Sequence, residues 1–211
     1  TVQVRVTNPN YENTIHKSGT IEITPFEVTI TADDMSKLYG EKDPTFTATE
    51  TVTKEGTVRP DDQEISYDIV RNPKHEDAGT YEKTLIPSGE ELQGNYKVTY
   101  KNGDFEIRRT VRPDDKAISA VDYSGVYDNE KHTITVNGLL PADKVEYSYD
   151  GGKNWSTELK KYKHVTDGTK TIDVRVTNPN YLGEATASAT VEITPFEMVV
   201  TANPASKDFG A

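Results

Sequence analysis

Four histidines, His16, His75, His132 and His164, are the side chains best suited to metal binding or proton transfer near neutral pH. Each stands alone in a polar stretch. No two of them have helix or hairpin spacing together with a carboxylate to complete a metal site, so surface positions are expected. Acids come in pairs at Asp33-Asp34, Asp61-Asp62 and Asp114-Asp115. Neighbours along a strand point to opposite faces, so such pairs do not share a proton. Hard cations bind clustered carboxylate oxygens, which leaves calcium at a domain junction as the one cofactor open. With no cysteine, the chain has no disulfide, no thiolate nucleophile and no Cys-based zinc site. It also lacks a Gly-x-Ser-x-Gly elbow, a glycine-rich phosphate loop and EF-hand spacing. No constellation supports a reaction, and an enzyme is not expected.

Trp155, the one tryptophan, follows an Asp-Gly-Gly-Lys-Asn turn. It has two readings: a platform for stacking on a sugar ring, or a core aromatic crossing a β-sandwich, and the second is the expectation. "NWS" at 154–156 has the form of a glycosylation acceptor. With 24 basic against 35 acidic residues, the net charge of −11 argues against nucleic acid and against an anionic membrane surface, both of which select Lys and Arg. No apolar run is long enough to cross a bilayer.

The elements that would position these groups are organised by a repeat. Shifting the sequence by 170 positions aligns 1–41 with 171–211 without a gap, and 22 of the 41 positions are identical. "VRVTNPNY", "EITPFE", "TA", "SK" and a glycine at 40 and 210 all recur. A period this long is not a solenoid unit; it fits a pair of ordinary domains. "VRPDD" also occurs twice, at 58–62 and 111–115; the first reads as a loop inside a domain and the second as part of a linker between domains.

Between the repeats the chain reads as short strands separated by Gly, Pro, Asn and Asp. "FEVTITA" alternates Val28, Ile30 and Ala32; "PTFTATETV", "QEISYDIV" and "GTYEKTLI" follow. "NYKVTYKNGDFEIRR" reads as a hairpin turning at Asn102-Gly103, a type I′ signal. Later come "AISAVDYSG", "HTITVNGL", a hairpin around Asp150-Gly151-Gly152, then "KTIDVRVTNPN" and "ATASATVEITP". No segment carries a helical period of apolar residues for three turns. The expected fold is all-β, a tandem of small antiparallel sandwiches.

Several of these strings resemble a known family. Ser36, Lys37, Tyr39 and Gly40, then Asp43-Pro44, Gly79 and Tyr81, and finally Tyr96 with Gly103 and Phe105, follow in order the pattern of the YGX-type MBG domain of large repetitive bacterial surface proteins. A charged insert, "VTKEGTVRPDDQ", is the departure. "VYDNEKHTITVNG", "VEYSYDGGKNWST" and "DGTKTIDVRVTNPNY" are similar to a second, immunoglobulin-like repeat of such proteins. The resemblance implies an MBG-like domain over 27–108, with a β-grasp variant left open, and an Ig-like domain over 109–196. Residues 1–26 would be the end of a preceding second-type domain, with Val2, Val4 and Val6 inward, and 197–211 the start of another first-type domain.

The resemblance further implies an extracellular, cell-surface stalk or filament. Its partners would be adjacent repeats, lateral or end-to-end copies, and a host glycoprotein if the alternative reading, a module that grips mucin or another host glycan, holds instead. Pro25 and Phe26, and their copies Pro195 and Phe196, are the expected joint, since proline fixes φ and phenylalanine can pack there. Some surface sandwiches of this kind join a lysine to an asparagine beside a buried acid, with loss of ammonia. Lys37 and Asn102 are the candidates.

Overall fold

A computed structural model describes residues 1–53, 57–60 and 63–210. The chain divides into two compact units, Thr1–Ile107 and Arg108–Ala211. Its regular structure is almost entirely β: among the described residues the only helical elements are two 3₁₀ turns, Asp114–Lys116 and Val165–Asp167, both in the second unit. The β-grasp variant is therefore overturned, because no helix in the described part of the first unit lies across a sheet.

The first unit opens with a two-stranded hairpin, β1 (Val2–Val6) and β2 (Ile15–Gly19). The body follows as β3 (Phe26–Ala32), β4 (Met35–Leu38), β5 (Ala48–Val52), β6 (Asp68–Arg71), β7 (Gly79–Ser88), β8 (Leu92–Gln93), β9 (Tyr96–Lys101) and β10 (Gly103–Arg108). They form two four-stranded sheets, ordered β5-β3-β9-β8 and β4-β10-β7-β6. Strands β3 and β9 of the first sheet pack against β7 of the second. The alternation of β3 works as its sequence dictates: Val28, Ile30 and Ala32 are buried. Val28 and Ile30 cluster with Tyr96 and Val98, while Ala32 joins Leu85, Phe105 and Ile107. Burying each large side chain is worth about 1.5–3 kcal/mol.

The expected hairpin at Asn102-Gly103 is a correction. β9 and β10 lie in different sheets and do not pair. Gly103 has no positive φ, so it serves no type I′ turn. It is there for space: a Cβ on Gly103 would meet the carbonyl oxygen of Ala32 at 2.4 Å. The chain switches sheets here and also at Asp33-Asp34, and the two corners touch. Asp34 accepts from the Asp104 amide at 2.7 Å, and Asp104 accepts from the Lys83 amide at 2.8 Å.

The second unit comprises β11 (Ser119–Val121), β12 (Tyr123–Val126), β13 (Thr135–Asn137), β14 (Lys144–Ser148), β15 (Lys170–Thr177) and β16 (Glu184–Thr194). A small β11-β13 sheet accompanies a four-stranded one ordered β12-β16-β15-β14. Ile172, Val174 and Val176 of β15 form the core with Ile134, Ala189 and Val191. The hairpin expected at Asp150-Gly151-Gly152 reduces to one bridge, Tyr147 to Ser156, with both glycines at positive φ. Each unit contains a parallel strand pair. β3 runs parallel to β9, from Phe26↔Tyr96 to Thr31↔Lys101, and β12 runs parallel to β16, from Tyr123↔Val191 to Val126↔Thr194.

Arg109–Asp115 is not a free linker. Thr110 donates its amide to the Asn180 carbonyl and accepts from the Leu182 amide, which stitches it to the turn after β15. Of the first "VRPDD", Asp61 and Asp62 lie outside the described residues, as do Lys54, Glu55 and Gly56 of the charged insert.

Val2, Val4 and Val6 lie on β1 at the positions that Ile172, Val174 and Val176 hold on β15. Their hairpin has the register of β15 and β16, Val2↔Gly19 matching Ile172↔Ala189 at the 170-residue offset. Yet they are 46%, 54% and 55% exposed, where Ile172, Val174 and Val176 are at most 1% exposed. Residues 1–25 contain no counterpart of Ile134, which covers the inner face in the second unit.

Candidate functional site

Two strands carry a cation at an inward position where a hydrophobe would be expected. On β4, Lys37 follows Met35 by two residues; on β6, Arg71 follows Ile69 by two. Alternation turns both toward the core, and they are only 5% and 3% exposed. Buried cations need partners, and two loops supply them. Lys37 Nζ lies 2.9 Å from Asp43 and 2.5 Å from Glu76. Arg71 grips both Asp43 oxygens at 2.9 Å in a fork, and also donates to Glu76 and to the His75 carbonyl. Its guanidinium lies 4.8 Å over the ring of fully buried Phe105, which stands edge-on to Phe46.

The electrostatics favour full ionisation. Burial opposes charge on Lys37, but hydrogen bonds to Glu76 and Asp43 outweigh it and its pKa is raised. Burial likewise works against the Asp43 carboxylate, and Arg71 and Lys37 overcome it, so its pKa is lowered. Glu76 is lowered chiefly by its hydrogen bond to Lys37. A lysine held protonated is no nucleophile. The four charges cancel and form a clamp, not a reactive centre.

The cluster holds the candidate lysine and asparagine apart from one another in their bonding. Lys37 is committed to two carboxylates, while Asn102 donates its side-chain amide to the Lys83 carbonyl at 3.0 Å. The remaining signature residues divide between packing and turns. Tyr39 and Tyr81 pack beside Phe105, and Tyr81 stacks on His75 and donates to the Asp77 carbonyl at 2.6 Å. Gly40, at φ 85°, closes the turn in which the Glu41 amide donates to Leu38. Ser36 lies on a shallow polar surface with Asp34, Thr80 and Asp104. Pro44 follows Asp43 and is half-buried, and Gly79 pairs with Ile107. Tyr96 belongs to the other cluster, donating to the Pro60 carbonyl beneath Arg59.

The second unit repeats the principle with different residues. Arg112 reaches Asp143 with two nitrogens, at 3.0 and 2.5 Å, and donates to the Gly138 carbonyl. Asn178 of the repeated "TNPNY" donates to the same carboxylate at 2.7 Å. Burial works against the Asp143 carboxylate, but these bonds and the Leu140 amide keep its pKa lowered. The two "VRPDD" arginines prove alike in use: Arg59 lies over Tyr96 and Arg112 over Tyr181. Asp150 accepts from Asn154, Ser148 and the Lys153 amide, the Asn154 side chain contributing most, and its pKa falls to about 2. Trp155 is not a core residue. It is half-buried beneath Arg175, whose guanidinium lies 4.4 Å over the indole.

His132 pairs with Asp128 and stacks on Tyr123 at 4.1 Å. Among the described residues no group of three or more His, Asp or Glu side chains converges to hold a metal. Asp33 and Asp34 point apart: Asp33 accepts from Thr47 and Thr49, and Asp34 from the Asp104 amide.

Of the joint residues, Phe26 is half-buried, edge-on to Tyr96 at 5.9 Å, and its amide donates to the Asn95 carbonyl. Its copy Phe196 is 64% exposed. Pro25 and Phe26 border a surface groove with Thr57 and Lys97, and Pro195 and Phe196 border another with Tyr127, Asp128 and Val165.

Sequence reasoning found Lys37 and Asp43 as signature letters but missed Arg71, Glu76, Arg112 and Asp143. The available signal was a cation at the second position after a core hydrophobe, as in Ile69-x-Arg71.

Residues 28–106 match the MBG domain (YGX type), a domain typical of bacterial surface proteins. None of the curated proteins compared with the chain matches it. Among solved structures, the four N-terminal Ig domains of a Dscam1 isoform align at 14% identity and a TM-score of 0.30, over 91% of this chain and 54% of that one. An I-band fragment of titin aligns at 13% identity and a TM-score of 0.26, over 81% of this chain and 65% of that one. The chain thus spans about half the length of the first and under two thirds of the second. At these TM-scores the fold rests on the strand pairing described above.

Proposed function

We propose that this chain is a tension-bearing spacer of a bacterial surface protein, in which an MBG domain alternates with a second β domain to hold another part of the protein away from the cell. The MBG match supports a surface setting, and the 170-residue period supports a tandem arrangement. Its partners are then its own neighbouring repeats.

The parallel terminal pairing carries this reading. β3 enters the first domain at Phe26, and β9 leads directly into β10, where the chain leaves it. Because β3 and β9 are parallel, force applied at the domain's two ends pulls the strands in opposite directions along their shared ladder. The hydrogen bonds lie across the strands and are loaded together, not opened one at a time. In the second domain the last strand, β16, is likewise paired in parallel with an early one, β12.

The chain has no cysteine, so introduced pairs are unique handles for single-molecule pulling. A Thr24→Cys/Arg108→Cys pair loads the ladder in shear. A Thr24→Cys/Asn95→Cys pair grips the adjacent starts of β3 and β9 and peels it. The expected result is a higher unfolding force for the first pair; equal forces would overturn the reading.

A further inference from the structure

The linker Thr-Pro-Phe-Glu occurs twice, at 24–27 entering the first domain and at 194–197 leaving the second. Each side of one kind of joint is therefore visible separately. On the leaving side, Tyr127, Asp128 and Val165 at the end of the second domain form a mostly apolar groove with Pro195, Phe196 and Met198. On the entering side, the end of the first domain presents Phe26, Thr57 and Lys97 around the same Pro-Phe step.

The segment after Glu197 names the occupant. It aligns with β3 and the Ser-Lys signature, sharing Phe, Glu, Thr, Ala, Ser, Lys and Gly at equivalent positions from 196 to 210. Val28 and Ile30 are 0% and 1% exposed within the first domain; their counterparts Met198 and Val200 are 77% and 88% exposed. The matching strand is core in the first domain, and a domain of the first type gives the segment from Phe196 the same kind of core.

We infer that the Tyr127–Asp128–Val165 groove is the seat of a further first-type domain continuing from Glu197. Met198 then leaves the groove for that domain's core, as Val28 does. The pole carrying the counterparts of Thr57 and Lys97 comes down on Tyr127 and Val165. The lysine ammonium faces Asp128, whose own partner, His132, leaves the carboxylate half-exposed. Lys97 is free to serve, since its contact with Glu27 is a long 3.7 Å between side chains both more than half exposed. The joint is then a specific contact and not a hinge. This rests on the spacer reading for the continuation of the repeat, but a flexible joint would leave the pulling result untouched.

The test extends the full chain beyond Gly210 with its own Glu41–Ile107 sequence and measures residual dipolar couplings in the second domain and in the added one. Protection of the Phe196 amide reports folding of the added domain, because its counterpart, the Phe26 amide, is bonded to Asn95. The expected result is one shared alignment tensor, lost in Val165→Asp and weakened in Asp128→Lys, with the second domain's own spectrum retained. Val165 is 37% exposed and outside the core cluster, so its replacement spares the fold. Separate tensors in the parent, a shared tensor persisting in Val165→Asp, or an added sequence that leaves Phe196 unprotected would each overturn the inference.

Discussion

Arg71 lies 4.8 Å over the ring of Phe105 while its guanidinium grips Asp43, so one side chain closes the aromatic cluster and the ionic one. The signature of the first domain is the record of that closure. Tyr39, Tyr81 and Phe105 pack on one side of it, and Lys37 and Asp43 pair on the other.

Replacing Arg71 alone should therefore be costly. Arg71→Leu leaves Asp43 with Lys37 alone and removes the cover of Phe105. The expected loss is about 3 kcal/mol from the first domain, read as a lower urea midpoint, with the second domain's transition unmoved. Replacing Lys37, Asp43, Arg71 and Glu76 together with apolar residues should cost less than the single change, because no unpaired charge remains. A larger loss in the quadruple variant would contradict the clamp.

The acid and alkaline limbs of stability follow from the same cluster. Asp43 and Glu76 have folded pKa values below their ordinary 3.8 and 4.5. Their contribution is present above those values and is lost as pH falls through the lower, folded ones. Lys37 is raised above 10.5, so its contribution is complete below that and is lost as pH climbs through the folded value. Thermal melts across pH should show the alkaline loss in the parent's first domain and its absence in Lys37→Met.

Three signature-region glycines should respond unequally to alanine. Gly103→Ala drives a Cβ into the Ala32 carbonyl and should cost about 3 kcal/mol. Gly40→Ala meets open space but must hold φ 85°, at about 1 kcal/mol. Gly79→Ala meets only the Tyr81 ring at an ordinary 3.5 Å and should be nearly neutral. Chemical denaturation of the three variants checks the order; a Gly79 change as costly as that of Gly103 would refute it.

Arg112→Leu should unfold the second domain at markedly lower urea, by about 3 kcal/mol, because Asp143 is left buried with only Asn178 and the Leu140 amide. A linker residue would show no such effect.

Much of the strand content was legible because it rests on alternation. β3 and β15 bury the apolar side chains their sequences pick out. The corner at Asn102-Gly103 was not, since the same dipeptide suits a tight turn by its φ freedom and a sheet crossing by its lack of a Cβ. The ionic clusters were illegible for another reason. Glu76, Asp43 and Asp143 sit in loops without period, and only the fold brings them to Lys37, Arg71 and Arg112. The repeated "TNPNY" separates the two levels within one phrase. Asn8 and Asn178 each accept the amide two residues on, at 2.9 Å, so the turn is local. Asn178 is buried and bonded to Asp143, whereas Asn8 is exposed, so the burial is not.

The distance between the two hairpins also bears on assembly during synthesis. Two stretches that take the same strand register are natural substitutes for one another, and tandem proteins with such stretches side by side misfold by trading them. Here an unlike domain, with its own sheet order and its own ionic clamp, is translated between them. By the time the second copy emerges, 170 residues on, the intervening sequence offers it no matching ladder. On the proposed repeat, alternation of two unlike domains would act as quality control, keeping like strands apart while the chain is still being made.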